Sequence, residues 1–272
     1  FTAESFQGGN DASMFGGAAD GDFNNVGMFA VTGGGVTNLV RAGGDLRFHN
    51  SGLVDIQDGS LRLLGSDFTT NDGEYRMSHH GSIEVADDFT NAPNAALSFE
   101  VGAMKERGLS GLMTITGEAT LAGTLSVVTP EPFSAAWGDR WTIMTFASRE
   151  GDFDAFDLPT EGFAARGDAY GASDLRWFAE AGDTEYVVGV SHIADIDHDG
   201  LIGFSDLNVI VSNFNAAGSW AMGDVDGDGF IGFADLNVVL SLYNVAAPRN
   251  VPGPGTGVVA LAVMGLARRR RR

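Results

Sequence analysis

Phe23-Asn-Asn-Val-Gly27 returns as Phe48-His-Asn-Ser-Gly52 twenty-five residues later, and Gly59-Ser-Leu-Arg-Leu63 returns as Gly81-Ser-Ile-Glu-Val85 after twenty-two. Gly34 is answered by Gly59 in the first register, and Val54 and Ile56 are answered by Tyr75 and Met77 twenty-one residues on. A fixed period of this length marks one unit repeated, because such a unit cannot bury its apolar face until the next one stacks on it. Between the glycines, apolar and polar residues alternate, as in Leu61-Arg62-Leu63, and period two is the signature of a strand. Segments Ala96 to Val101, Met113 to Gly117 and Thr124 to Val128 keep the same rhythm. The expectation is a mainly β chain built on a right-handed parallel β-helix, or solenoid, over residues 1–130, with about five coils. An antiparallel sandwich also yields short strands with regular turns, but it predicts no fixed-register recurrence.

From Pro130 the frame changes. Trp141-Thr-Ile-Met-Thr-Phe146, Leu175-Arg-Trp-Phe178 and Tyr186-Val-Val-Gly-Val190 read as strands, and three of the four tryptophans, Trp137, Trp141 and Trp177, fall here. Residues 131–190 are therefore read as a β-rich cap that covers the apolar end of the stack, with an aromatic sugar-binding platform as the alternative. The order Phe-x-Asn-x-Gly, apolar-x-apolar, Gly-x-Leu-x-Leu resembles the passenger-type β-helix repeats of autotransporter-like bacterial surface proteins. That resemblance implies architecture and export rather than an activity.

Thirty-six acidic residues against sixteen Lys and Arg give a net charge of -20, with no Cys and 44% apolar residues. That apolar share supports a packed core. A nucleic-acid partner is excluded, because binding phosphates needs a basic stripe, and disulfide or thiol chemistry is excluded by the missing Cys. The chain begins at Phe1 without a leader, which reads either as a signal peptide already removed or as an N-terminally truncated fragment.

The acids are not evenly spread. Residues 195–206 read Asp-Ile-Asp-His-Asp-Gly-Leu-Ile-Gly-Phe-Ser-Asp and residues 224–235 read Asp-Val-Asp-Gly-Asp-Gly-Phe-Ile-Gly-Phe-Ala-Asp, in register at an offset of 29. Each loop sets carboxylates at positions 1, 3, 5 and 12 (Asp195, Asp197, Asp199 and Asp206; Asp224, Asp226, Asp228 and Asp235). Glycine stands at position 6, and a backbone carbonyl at position 7 comes from Leu201 or Phe230, which is the oxygen spacing of an EF-hand-like Ca²⁺ loop. Residues 191–248 hold eight acids and no Lys or Arg, and all eight occupy ligand positions. Four like charges in one loop repel unless neutralised, so two Ca²⁺ ions are expected. His198, at position 4, reads as a solvent-facing loop residue. After each loop an apolar stripe at helical spacing follows, Leu207, Ile210, Val211, Phe214 and Leu236, Val239, Leu240, Tyr243, giving two loop-helix units able to pack face to face.

Residues 191–247 thus resemble a type I dockerin repeat pair, which implies a small all-α calcium-binding domain and a cohesin-like partner. At positions 10 and 11, where cohesin-binding dockerins carry Ser-Thr-like pairs, this chain has Phe204-Ser205 and Phe233-Ala234.

Residues 248–272 contain Val251-Pro252-Gly253-Pro254, an uncharged apolar run from Gly255 to Ala267, and the block Arg268, Arg269, Arg270, Arg271 and Arg272. Thirteen residues make a short apolar helix of about 20 Å, less than the roughly 30 Å hydrocarbon core. The Arg block would be held on the cytoplasmic side. This order resembles a PEP-CTERM sorting tail. The resemblance implies transient inner-membrane anchoring, cleavage by an exosortase-type enzyme, and export to the surface of a Gram-negative-type bacterium that makes exopolysaccharide.

Together these readings point to a noncatalytic surface or matrix protein with exopolysaccharide or a cohesin-like protein as partner. The alternatives are a polysaccharide lyase or hydrolase using carboxylates such as Asp55, Glu84 and Asp88, or a carbohydrate-binding adhesin. His79-His80 reads as a turn-exposed pair.

Overall fold

Alternating apolar and polar side chains set the strands of this chain. Its computed structural model describes residues 2–8, 13–16, 21–41, 46–64, 66–102, 111–160 and 174–248. In chain order the strands begin with β1 (Thr2–Gly8), β2 (Ser13–Gly16), β3 (Gly21–Val31), β4 (Val36–Arg41), β5 (Leu46–Asn50), β6 (Leu53–Ile56), β7 (Gly59–Leu64) and β8 (Ser66–Asn71). They continue with β9 (Glu74–Met77), β10 (Gly81–Val85), β11 (Asp88–Asn91), β12 (Ala96–Glu100), β13 (Leu112–Ile115), β14 (Glu118–Leu121) and β15 (Thr124–Val128). The last of the body are β16 (Arg140–Thr145), β17 (Ser148–Gly151), β18 (Ala155–Asp157), β19 (Leu175–Ala181) and β20 (Glu185–His192).

From β3 to β15, each strand pairs in parallel with the strand three places further on, and the registers are those of the sequence echoes. Phe23 lies opposite Phe48, Gly59 opposite Gly81, and Val54 and Ile56 opposite Tyr75 and Met77. Leu61, Leu63, Ile83, Val85, Met113 and Ile115 point inward and are buried, while Arg62 and Glu84 between them face out and pair at 2.7 Å. In one inward row Phe23 and Phe48 stack at 5.2 Å, then Thr69 takes the next place and Phe89 the one after. Opposite that smaller Thr69 the second row carries Tyr75, whose ring meets Phe89 edge-on at 5.9 Å. Large and small residues therefore interdigitate across the core, as close packing requires.

The corner between two rows is built by one residue type. Buried Asn25, Asn50, Asn71 and Asn91 form a ladder, each Nδ2 donating to the next Oδ1 at 2.7, 2.8 and 2.7 Å. The same amides also donate to the carbonyls of Leu53, Glu74, Ala96 and Ala122, so each Nδ2 at the turn is paired inside the protein, while Oδ1 of Asn25, at the start of the ladder, has no partner among the described residues. Two residues further along, glycine recurs for a steric reason: a Cβ on Gly52 would strike the carbonyl oxygen of Gly27, and one on Gly73 that of Gly52.

The expected right-handed β-helix with an all-α second domain is corrected. The chain is mainly β, with a large, chiefly parallel sheet of twelve strands curled as a half-barrel, and an eight-stranded sheet beside it. The physical reason lies in β3. Its eleven residues pair with β5 over Gly21 to Asn25 and with β6 over Met28 to Val31, so two rows join into one continuous sheet. Periodicity locates strands but not such a junction. The second sheet is parallel from β2 to β16 and then ends in antiparallel β20 and β19. Here Trp141 and Trp177 stack at 5.4 Å, and both are buried along with Trp137, so these rings belong to the core and not to a sugar platform. The first sheet ends on β17 and β18, whose residues are mostly exposed.

Only two α-helices, α1 (Phe204–Ser212) and α2 (Phe233–Ser241), occur among the described residues. Residues 191–247 are not all-α, because they also hold the strand pair β21 (Ala216–Ala217) and β22 (Phe230–Ile231) and a bridge between Leu201 and Ala246. The expected C-terminal apolar helix and the sorting residues 251–272 lie outside the described residues.

Candidate metal centre

The two acidic loops are shaped by their own carboxylates. In the first, Asp197 Oδ1 accepts from the Asp199 N–H at 3.3 Å and Asp199 Oδ1 from the Leu201 N–H at 2.7 Å. The second repeats this with Asp226 accepting from Asp228 at 3.1 Å and Asp228 from Phe230 at 2.8 Å. Gly200 and Gly229 sit at φ +85° and +86°, where a side chain would be strained. The twelfth residue closes each loop. Asp206 accepts from Ile196 N–H at 2.6 Å and from the helix N-cap Gly203 at 2.7 Å, and Asp235 accepts from Val225 at 2.8 Å and Gly232 at 2.7 Å. An anionic acceptor there also suits the positive end of the helix.

The halves strap each other. The Asn215 N–H, just past α1, donates to Ile231 of the second loop at 2.8 Å, and the Asn244 N–H, just past α2, donates to Ile202 of the first at 2.7 Å. Ile202, Ile231, Ile210 and Val239 are buried between them. The predicted stripes are only partly covered: Val211, Phe214, Leu240 and Tyr243 stay exposed, and so do Phe204 and Phe233 at the tenth loop positions.

The structure brings together carboxylate oxygens of Asp195, Asp197 and Asp199 within 4.8 Å of one another, and likewise those of Asp224, Asp226 and Asp235. Asp206 and Asp228 fall outside these groups, although both hold their loops in shape. Two acidic triads that can hold metal ions are thus in place.

The donor set fits a hard cation. Asp195 is 1% exposed; its Oδ2 accepts from Trp137 Nε1 at 2.7 Å and Ser191 Oγ at 2.8 Å, whereas its Oδ1 has no hydrogen-bond partner. A buried carboxylate oxygen without a donor is costly unless a positive charge meets it. Burial pushes the Asp195 carboxyl up, against the two side-chain hydrogen bonds, with Asp206 and Asp197 adding repulsion. Burial also raises Asp206, outweighing its three backbone donors. At Asp235 burial acts in the same direction but the backbone N–H groups prevail, and the carboxyl lies below its ordinary range.

His198 is not the solvent-facing residue its position suggested. Its ring lies between Phe178 at 4.0 Å and Trp220 at 5.1 Å, seating the first loop on the body. Trp137 and Ser191 were also missed by sequence reasoning, since Trp137 lies 58 residues from Asp195 and no motif links them.

The carboxylates suggested for catalysis do not converge. Asp55 on β6 is buried and accepts from Gln57, Glu84 on β10 pairs with Arg62, and Asp88 on β11 accepts from the Glu118 N–H; these are three separate strand rows. Asp55 lines a cavity of about 420 Å³ with Arg76 and Glu100. His79 faces Glu100 at 2.9 Å, and only His80 of that pair is exposed. No helix among the described residues is long and apolar enough to cross a membrane.

No protein-family model matches the chain, and no curated protein matches it.

Proposed function

We propose that this chain is a noncatalytic surface or extracellular-matrix protein whose loop-helix pair is locked by two Ca²⁺ ions, in the manner of dockerin-like calcium repeats. The observation that supports it is the repetition: two twelve-residue loops offset by 29, each gathering three carboxylates within 4.8 Å. All side-chain donors are carboxylate oxygens, the ligand type of hard cations, and a loop of this length with a sharp turn at its sixth residue suits the flexible shell of Ca²⁺ better than the strict octahedron of Mg²⁺. Asp195, Asp197, Asp199, Asp206 and the carbonyl of Leu201 would serve the first ion. Asp224, Asp226, Asp228, Asp235 and the carbonyl of Phe230 would serve the second.

The tail sequence supports an exported location. Val251-Pro252-Gly253-Pro254, the apolar run and the terminal arginines support a PEP-CTERM-like signal that an exosortase-type enzyme removes at the inner membrane of a Gram-negative-type cell. Exopolysaccharide is then the nearest partner, and the exposed Phe204 and Phe233 offer an apolar face to a cohesin-like one.

Calorimetric titration of the chelated protein tests the first part, with uptake of two Ca²⁺ expected and the absence of any uptake refuting it. Intact mass of the exported chain tests the second, since a mature product still ending in Arg272 defeats the sorting signal.

A further inference from the structure

The two loops share a sequence pattern but not a means of support. In the second, the first ligand Asp224 is oriented from within, with Oδ1 accepting from Gly227 N–H and Oδ2 from Gly229 N–H, both at 3.0 Å. In the first, neither His198 nor Gly200 donates to Asp195; Oδ2 is held by the indole of Trp137 at 2.7 Å and the hydroxyl of Ser191 at 2.8 Å. Ser191 also donates to the Asp195 carbonyl at 2.9 Å, so one hydroxyl fixes both main chain and side chain. Ser191 is the penultimate residue of β20 in the second sheet and Trp137 precedes β16, so both belong to the body rather than to the loop.

The fourth loop residue repeats the contrast. A Cβ on Gly227 would meet nothing within 4 Å, whereas His198 packs on Phe178 and its carbonyl accepts from Arg140 Nη1 at 2.8 Å. The first ligand of the second loop is therefore oriented from within and that of the first by the surface beneath it.

We propose that Trp137 and Ser191 are positioning residues of the first metal site, so that loop 1 takes up its ion as organised by the β-sheet body while loop 2 orients its first ligand with its own backbone. This rests on the reading of the loops as Ca²⁺ sites. Two donors on Oδ2 fix the carboxylate plane and leave Oδ1, buried and without a donor, to meet the cation. Groups that orient a ligand in this way change metal affinity by about 10–100-fold when removed, without touching the metal. An ion in loop 1 is then linked through Asp195 to the second sheet, and its binding energy is spent on joining module to body.

Calcium titration of the full chain after chelation provides the test, with the two phases assigned by Asp197→Asn for the first loop and Asp226→Asn for the second. Trp137→Phe and Ser191→Ala are expected to weaken the first phase by about 10–100-fold and leave the second within about twofold, a split that general destabilisation would not produce. Tryptophan emission should respond to filling of the first site in the wild type and respond less in Trp137→Phe, where Trp220 beside His198 remains. If Trp137→Phe fails to fold, Ser191→Ala, which deletes one oxygen, decides alone. Two unchanged phases in Ser191→Ala and in any folded Trp137→Phe, or equal losses in both phases, overturn the positioning role. A wild-type protein that binds no Ca²⁺ overturns the calcium reading itself, a different and recognisable result.

Discussion

Replacing Asn50 by Ala removes the second rung of the asparagine ladder and should be among the most damaging single changes in the body. The side chain is fully buried and makes four bonds of consequence: it accepts from Asn25 at 2.7 Å and from the Gly52 N–H at 3.2 Å, and donates to Asn71 at 2.8 Å and to the Glu74 carbonyl at 3.0 Å. At roughly 1 kcal/mol net for each, the loss is about 4 kcal/mol. Asn91, at the end of the ladder, has two partners among the described residues, the Asn71 amide and the Ala122 carbonyl, so Asn91→Ala should cost about 2 kcal/mol. Asn50→Asp separates hydrogen bonding from packing: its shape is nearly unchanged, but it turns a donor toward Asn71 Oδ1 into an acceptor, and at neutral pH it should be worse than Ala. Equilibrium urea unfolding of the calcium-saturated chain, followed by far-ultraviolet circular dichroism, measures all three. A cost below about 1 kcal/mol for Asn50→Ala, or equal costs at positions 50 and 91, would refute the idea that the ladder holds the corner.

Tyr75→Phe should raise stability by about 1–2 kcal/mol in the same assay, because the Tyr75 hydroxyl is buried in the core without a partner. Gly52→Ala should lower it by about 1–3 kcal/mol or more, since the new methyl meets the Gly27 carbonyl and rows must separate; an unchanged melting temperature would contradict the close stacking. Chelation should lower the melting temperature of the calcium-loaded chain, each site contributing about 2.7 kcal/mol at a hundredfold excess over Kd. That calcium-dependent increment should shrink in acid. Burial raises Asp195 and Asp206, so the metal-free folded chain binds protons at higher pH than the unfolded chain does; protons then displace metal as pH falls through the raised values, while well above them the increment is complete. A melting shift constant from neutral pH down to the ordinary carboxylate range would argue against these two ligands.

Much of this could be read in the sequence, and what could not has identifiable causes. Phe23 against Phe48 and Gly59 against Gly81 were legible because in a parallel pair the same side-chain type returns to the same face. The ladder was only half visible: Asn71 follows Thr69 rather than Phe, so the motif fades while the amide remains. The joining of rows through β3 depends on how a strand bends, and no period reports it. At the two acidic loops the carboxylate positions were plain because their spacing is local. Which carboxylates converge, and that Asp195 is held by Trp137, depend on contacts across the whole fold.

The short outer strands β17 and β18 set a limit on size. A parallel sheet whose last strand is bare is a template on which a further chain can add by backbone pairing. Here the last strands have four and three residues and carry Arg149, Glu150 and Asp157. A second molecule approaching edge-on along these described strands finds little backbone to match and charges to desolvate, which disfavours edge-to-edge pairing there.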